Sequence, residues 1–367
     1  MKILYYMRQT DSLMDAWQSV HIFDELARHE IAVEIFNPLR FDCLDAANEA
    51  VIKTARNGRY DLFMTAHNEK ELYVDTLLQI KALGLPTLLI CFDNLIIPYV
   101  HHNVARYFDL VWLTEPGNQE LFTRWGAKWI HLPYAANPYF FRYHPQSEVL
   151  RTVFVGTPYG SRANMINALL KADVPVTLYT EEGGTTGGKS VAISRVERLK
   201  QNARSFGEFL MFPAGRKVLL SKLLQTVRPE AELLTRSDVL EKKPQIPFEV
   251  MPELYASYAL SLSDTTLRNT GVLKHPAGTM HLRCFEISMC GGIQLCRYQS
   301  DLAECFEPDR EILFYHSDEE LTEKARFYLA PKRRQLRADI RIAARKRAES
   351  EHTWYCRFSG VFEAMGI

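Results

Sequence analysis

Short apolar runs alternate with longer amphipathic stretches along most of the chain. KILYYM, starting at Lys2, predicts a buried strand, and SLMDAWQSVHIFDELARH after it spaces its apolar residues as one face of a helix. AVEIF predicts a second strand, followed by a helix from about Cys43 to Arg56, the strand DLFMTAH, and a helix over Glu71 to Leu83. PTLLICFDN, FDLVWLT, a helix ending at Trp125, and WIHLPYA complete the first half. Strands that are apolar throughout and separated by helices belong in a parallel sheet covered on both faces.

Pro133, Pro138 and Pro145 punctuate the next segment, and then the same alternation restarts. TVFVG, a helix over Ser161 to Lys171, VPVTLYT, ALSLS, a helix within 281–291, IQLCR, EILFY and a helix over Asp318 to Leu329 follow in order. The predicted fold class is therefore α/β, with two Rossmann-like doubly wound domains in series, 1–145 and 146–350. A C-terminal helix over 351–367 is free to pack back on the first domain. Ligands of such sheets bind at the carboxyl ends of strands, here the central cleft between the halves. Residues 181–250 break the rhythm: EEGGTTGGKS leads into a basic stretch and FLMFPAGRKVLLSKLLQTVRP, which predicts an inserted helical hairpin. With Arg216, Lys217 and Lys222 among Phe, Leu and Met, it suits either a membrane surface or packing on its own domain.

Composition narrows the class. The 367 residues, 47% hydrophobic, suffice for two cores, and a net charge of zero gives no global field to recruit nucleic acid. The seven cysteines include no CxxC pair and no zinc spacing, which points to free thiols in a reducing, cytoplasmic compartment, with Cys284, Cys290 and Cys296 as core residues. MKILYYMRQTDS has too little apolar length for a signal peptide, and no run of about 18 apolar residues is present.

The chemistry-bearing stretches follow. In HLRCFEISMCGGIQL, Leu282, Phe285, Glu286 and Met289 share one side of a helix closed by two glycines. A carboxylate in that company needs a buried partner such as Arg283, or a ligand carrying hydroxyls. GGTTGGKS, 183–190, satisfies the phosphate-loop pattern with Lys189, which keeps a kinase or NTPase open, although Glu181 and Glu182 oppose a triphosphate. VFVGTPYGSR offers Gly156 for close ligand approach, with a helix N-terminus and Arg162 for an anion. His67 in TAHNEK and Asp93–Asn94 in CFDN lie at strand ends. KRRQLRADIRIAARKR, 332–347, suits a solvated helix face or a contact with anionic lipid. No DxD, HExxH or GxSxG occurs, so a metal-chelating pair and a serine hydrolase lack support.

RCFEISMCGGIQLC, DLAECFEPDREILFYHSDEELTEKARFYLAP and HTWYCRFSGVFEAMG resemble the CgeB-like glycosyltransferases, relatives of glycosyltransferase family 4 with the GT-B fold. TVFVGTPYGSR, PELYASYALSLS, PTLLICFDN, FDLVWLT and GAKWIHLPYAANPYFF extend the resemblance over most of the chain outside 181–250. It implies a metal-independent transfer of a sugar, with retention of configuration, from a nucleotide-sugar donor to a hydroxyl of a polysaccharide, lipid-linked sugar or protein. No cofactor is implied, and peripheral contact with the inner membrane face is compatible with the basic helices. Glu286 matches the second glutamate of the wider class's E-x7-E arrangement, which accepts bonds from ribose hydroxyls. The first is replaced by Gly278. Arg283, Lys274 and Arg162 are the expected diphosphate ligands. His67 and Asp93 are expected at the reacting centre, and Asn94 at the acceptor. An epimerase or hydrolase of nucleotide sugars and a two-lobed sugar-binding protein remain alternatives.

Overall fold

The structure is a computed structural model and describes residues 1–10, 12–143, 147–181, 206–227, 234–267 and 269–367. The phosphate-loop match, 183–190, lies outside them. The chain divides into two compact units, Met1–Phe140 with His352–Ile367, and Phe141–Glu351.

The first unit is built on six parallel strands, β1 (Lys2–Tyr6), β2 (Ala32–Phe36), β3 (Leu62–Thr65), β4 (Thr87–Cys91), β5 (Leu110–Leu113) and β6 (Trp129–His131), ordered β2-β1-β3-β4-β5-β6. β3, β4 and β5 are buried at every position, as continuous apolar runs require. Leu4, Tyr6, Phe63, Leu89 and Val111 join Val51 and Leu77 of the covering helices in one core.

The C-terminal helix Trp354–Met365 belongs to this unit. Trp354 is fully buried against Trp17 and Trp112, at ring-centroid distances of 5.9 and 6.0 Å. Thr353 caps the helix, and the buried carboxylate of Glu25 accepts the amides of Trp354 (3.2 Å) and Tyr355 (2.8 Å). Glu25 itself lies just past a π-helical turn, Ser19–Phe23, within the first predicted helix.

The second unit contains β7 (Val149–Val155), β8 (Val176–Thr180), β9 (Leu240–Pro244), β10 (Tyr258–Ser263), β11 (Gln294–Arg297) and β12 (Leu313–Tyr315), all parallel and ordered β12-β11-β10-β7-β8-β9. Its core gathers Phe154, Leu178, Leu260, Leu262 and Leu295 under Ile166, Leu169 and Leu321. β9 corrects the expected extent of the insertion, which ends before residue 240. LEKKP carries no apolar alternation because it is an edge strand, where lysine and proline are tolerated and guard against further pairing.

The basic run at 332–347 differs from expectation only in part, since Lys332, Arg334 and Lys346 are exposed. Within helix Arg334–Glu351, Arg337 and Arg341 are buried, and Arg345 sends its guanidinium inward. Arg337 pairs with Glu148 and donates to the carbonyls of Tyr328 and Ala330; Arg341 donates to those of Ala256, Tyr258 and Gly291. Spaced four apart, these arginines share one face, and that face is turned to the protein. They serve neither solvent nor lipid.

Candidate functional site

In the second sheet the chain leaves β7 for β8 in one direction and β10 for β11 in the other. The loops after β7 and β10 therefore diverge at the carboxyl ends of neighbouring strands, the position where doubly wound sheets hold ligands. Gly156 follows β7 directly, with φ +133°, and donates its amide to the Tyr179 carbonyl at 2.9 Å. A Cβ on Gly156 would stand 3.5 and 3.6 Å from Nη2 and Nη1 of Arg283. The guanidinium thus rests against bare backbone.

Arg283 opens the short helix Arg283–Met289, and Glu286 lies one turn further on, 3% exposed. The two glycines after the helix close it as a Schellman motif. Gly291, at φ +69°, donates to Ser288 (2.9 Å) and Gly292 to Ile287 (2.8 Å). Arg345 donates to the carbonyl of Met289 and Arg341 to that of Gly291, so cations face the helix's negative end. Behind the helix, burial drives the Tyr255 hydroxyl well above its usual pKa; the charge of Arg283 opposes this and that of Glu286 adds to it. Arg283, Glu286 and Tyr255 are electrostatic neighbours.

Arg162, near the start of helix Ser161–Lys171, stacks over Tyr159 at 4.8 Å. It also acts with Arg283 on His281, whose pKa falls to about 4, first through burial and then through the charges of Arg283 and Arg162. The imidazole is therefore neutral near pH 7 and bonds the Asp264 carbonyl through Nε2 at 3.0 Å, which places its proton on that nitrogen. The Asp264 carboxylate accepts from Ser161 Oγ (2.6 Å) and the Thr266 amide (3.0 Å), tying the loop after β10 to the helix after β7. A cavity of about 530 Å³ adjoins it, lined by Ser161, Asn164, Asp264, Arg297 and Tyr315 among others. The structure thus gathers Gly156, Arg162, Arg283 and Glu286 at one switch point. Lys274 is exposed, in the loop after the turn Thr270–Val272.

The first sheet has its own switch point between β1 and β3. His67, just after β3, accepts the Arg8 amide at Nε2 (3.0 Å) and bonds Glu71 through Nδ1, so both ring nitrogens are committed. Arg8 Nη1 donates to the same carboxylate at 2.7 Å. The His67 hydrogen bond and the Arg8 charge hold Glu71 at a pKa of about 2, against its partial burial. Glu71 stands outside the helix expected over Glu71 to Leu83, which in the structure begins at Val74. Asp93 is exposed after β4, where its carbonyl accepts from Ile96 and Ile97. Asn94 is buried and spends its amide within the fold: Nδ2 donates to the Glu115 carbonyl (2.6 Å) and Oδ1 accepts the Glu115 amide (2.9 Å).

Sequence reasoning passed over Arg8, Glu71 and the Asp264–His281 pair as site residues. The signals were present, because Asp264 ends the apolar run ALSLS and Glu71 stands four residues after His67. Among the described residues, no three His, Cys, Asp or Glu side chains are grouped to hold one metal ion. No described helix is long and apolar enough to cross a membrane.

Residues 216–361 match the family model described as Glycosyl transferase-like, a span that takes in Asp264, His281, Arg283 and Glu286. Most of the matched span lies in the second unit, and residues 352–361 of it belong to the first. The whole chain superposes on HepE of Anabaena, solved with UDP-glucose, at a TM-score of 0.57 and 15% identity, covering 100% of this chain and 99% of that one. Sucrose-phosphate synthase of Thermosynechococcus elongatus (0.55, 12% identity, 99% and 98% covered) is similar in the same way. So is a glycosyltransferase of Rickettsia africae (0.57, 10% identity, 99% and 97% covered). No curated protein matches the sequence. The architecture is that of the GT-B fold, and residues 216–361 within it match the glycosyl transferase-like model.

Proposed function

We propose that this chain is a CgeB-like glycosyltransferase whose second unit binds the nucleotide-sugar donor at the β7/β10 switch point. The observation that carries this reading is the placement of Arg283 against Gly156, one turn before the buried Glu286. The Glu286 carboxylate has two oxygens to accept bonds from a ribose diol. Arg283 and Arg162, with the amino end of helix Ser161–Lys171, neutralise the diphosphate and stabilise it as a leaving group, in place of a metal. HepE, the similar protein solved with UDP-glucose, makes uridine the first base to test.

Sugar selection follows its own route. Position 278 has no side chain, and a Cβ there would stand 2.9 Å from Gln299 Cδ, so Gln299 fills the space a glutamate would need. His67, with Glu71 and Arg8, and the exposed Asp93 offer the first unit's polar groups to the acceptor, a hydroxyl of a glycan, lipid-linked sugar or protein. Transfer proceeds with retention of configuration, in a reducing cytoplasmic compartment that keeps the seven thiols free.

Calorimetry with UDP, GDP, ADP and TDP and their sugar conjugates, with chelator present, tests this. One nucleotide should bind without metal, and Glu286→Ala should weaken it at least tenfold while Lys189→Ala does not. Binding that requires Mg²⁺ and Lys189 would replace the reading with a phosphate-loop enzyme.

A further inference from the structure

The helix Pro213–Gln225 is built the wrong way round for a globular surface. Its inward face is made of small or polar residues, Ala214, Gly215, Val218 and Ser221, all buried. At Gly215 the packing is so close that a Cβ would stand 2.2 Å from the Phe209 carbonyl oxygen. Its outward face is apolar: Leu220 is 50% exposed, Leu223 69%, Leu224 38%, and Val227 just beyond the helix 77%. Phe206, Leu210 and Met211, immediately before it, are also exposed. At about 100° per residue, Leu219, Leu220, Leu223 and Leu224 fall within an arc of roughly 140°.

Charge tells which partner this face fits. Lys217 and Lys222 lie on opposite flanks of the arc, Arg216 heads it, and from Phe209 to Val227 no acidic residue occurs; Glu208, the one acidic residue of 206–227, lies before the helix. An apolar stripe bordered only by cations is the pattern of a helix lying in the interface of an anionic bilayer, leucines among the acyl chains and ammonium groups at the phosphates. A second copy of the chain would set these same cations against one another across a self-complementary contact. The arginines at 337, 341 and 345, by contrast, are spent inside the second unit.

We infer that residues 206–227 form a membrane-docking surface, selective for anionic lipid headgroups, that holds the second unit on the bilayer. The contact is peripheral and reversible. It stands independently of the glycosyltransfer reading, which it extends by favouring acceptors presented at the membrane surface.

Co-sedimentation of the full chain with phosphatidylcholine vesicles, with or without about one third phosphatidylglycerol, tests it. Binding is expected to the mixed vesicles, to weaken severalfold in Arg216→Gln/Lys222→Gln and with added salt, and to fall at least tenfold in Leu220→Ser/Leu223→Ser/Leu224→Ser. Thermal unfolding and nucleotide binding of the triple variant should match the parent, because the changed side chains are exposed. No binding to either vesicle would overturn the inference. So would equal binding by the triple variant, or a wild-type dimer in solution that this variant converts to monomer. None of these outcomes touches nucleotide binding in solution, so failure of the docking surface and failure of the donor site are separable.

Discussion

Arg283 lies against Gly156, with its guanidinium nitrogens 3.5 and 3.6 Å from where a Cβ on that glycine would stand. One residue follows a strand and the other begins a helix more than a hundred positions later, and the fold brings the cation to bare backbone. The distances are ordinary van der Waals contacts, so alanine would fit the space. The obstacle is the backbone, since φ of +133° is rarely adopted by a residue with a side chain. Gly156→Ala should therefore cost roughly 1–3 kcal/mol in a denaturant titration. If the loop relaxes to relieve that strain, Arg283 loses its seat, and nucleotide affinity should fall along with stability.

Arg341 predicts a different kind of loss. Its guanidinium donates to Ala256 (3.0 Å) and Tyr258 (2.6 Å), at one helix–strand junction, and to Gly291 (2.9 Å), after a separate helix. Arg341→Ala leaves these acceptors and part of Glu148 without their donor, a cost of roughly 3 kcal/mol or more. Arg341→Lys should recover only part of it, because an ammonium cannot reproduce the planar fork. Thermal unfolding of the two variants checks the order.

Glu71 makes stability acid-sensitive. Its folded pKa, about 2, lies below the usual carboxylate value because of the His67 hydrogen bond and the Arg8 charge. The unfolded chain then binds the proton more readily, so the contribution is present above about pH 4.5 and is lost as pH falls toward 2. It amounts to about 2 kcal/mol for this partly buried group. Glu71→Gln should lower stability at pH 7 and flatten the decline in stability between pH 4.5 and 2, as read by urea unfolding.

Glu25 acts with the opposite sign. Burial raises its pKa to about 7, against the opposing effect of the amides of Tyr355 and Trp354. The folded state therefore holds the proton that the unfolded chain releases near pH 4.5, and stability falls as pH rises from there through 7. The term is about 3 kcal/mol in all and is centred on the docking of the C-terminal helix. Hydrogen exchange of residues 354–365, corrected for the intrinsic pH dependence, should show progressively more opening over this window. Glu25→Gln should remove the trend.

Much of this protein is local information. The apolar runs of β3, β4, β5 and β10 read directly as buried strands, because a parallel sheet covered on both faces asks for nothing but apolar residues. The helix around Glu286 was equally legible, since its period and its two closing glycines are short-range signals. β9 was not, because an edge strand is selected for what it avoids, and LEKKP resembles a loop.

The candidate site was legible as a set of residue types and not as a geometry. Sequence pointed to Gly156, Arg162, Arg283 and Glu286; only strand order made neighbours of the loops that carry them. The basic run at 332–347 shows the limit most clearly. Periodicity says that Arg337, Arg341 and Arg345 share a face, but whether that face meets water or carbonyl oxygens depends on what packs against it. Likewise nothing local distinguishes Glu25 from a solvated carboxylate, because the amides it caps arrive from more than three hundred residues away. Sequence determined the elements and the chemistry available to them. The tertiary structure decided which charges were desolvated and which backbone groups they satisfied, because those energies depend on contacts between residues remote along the chain.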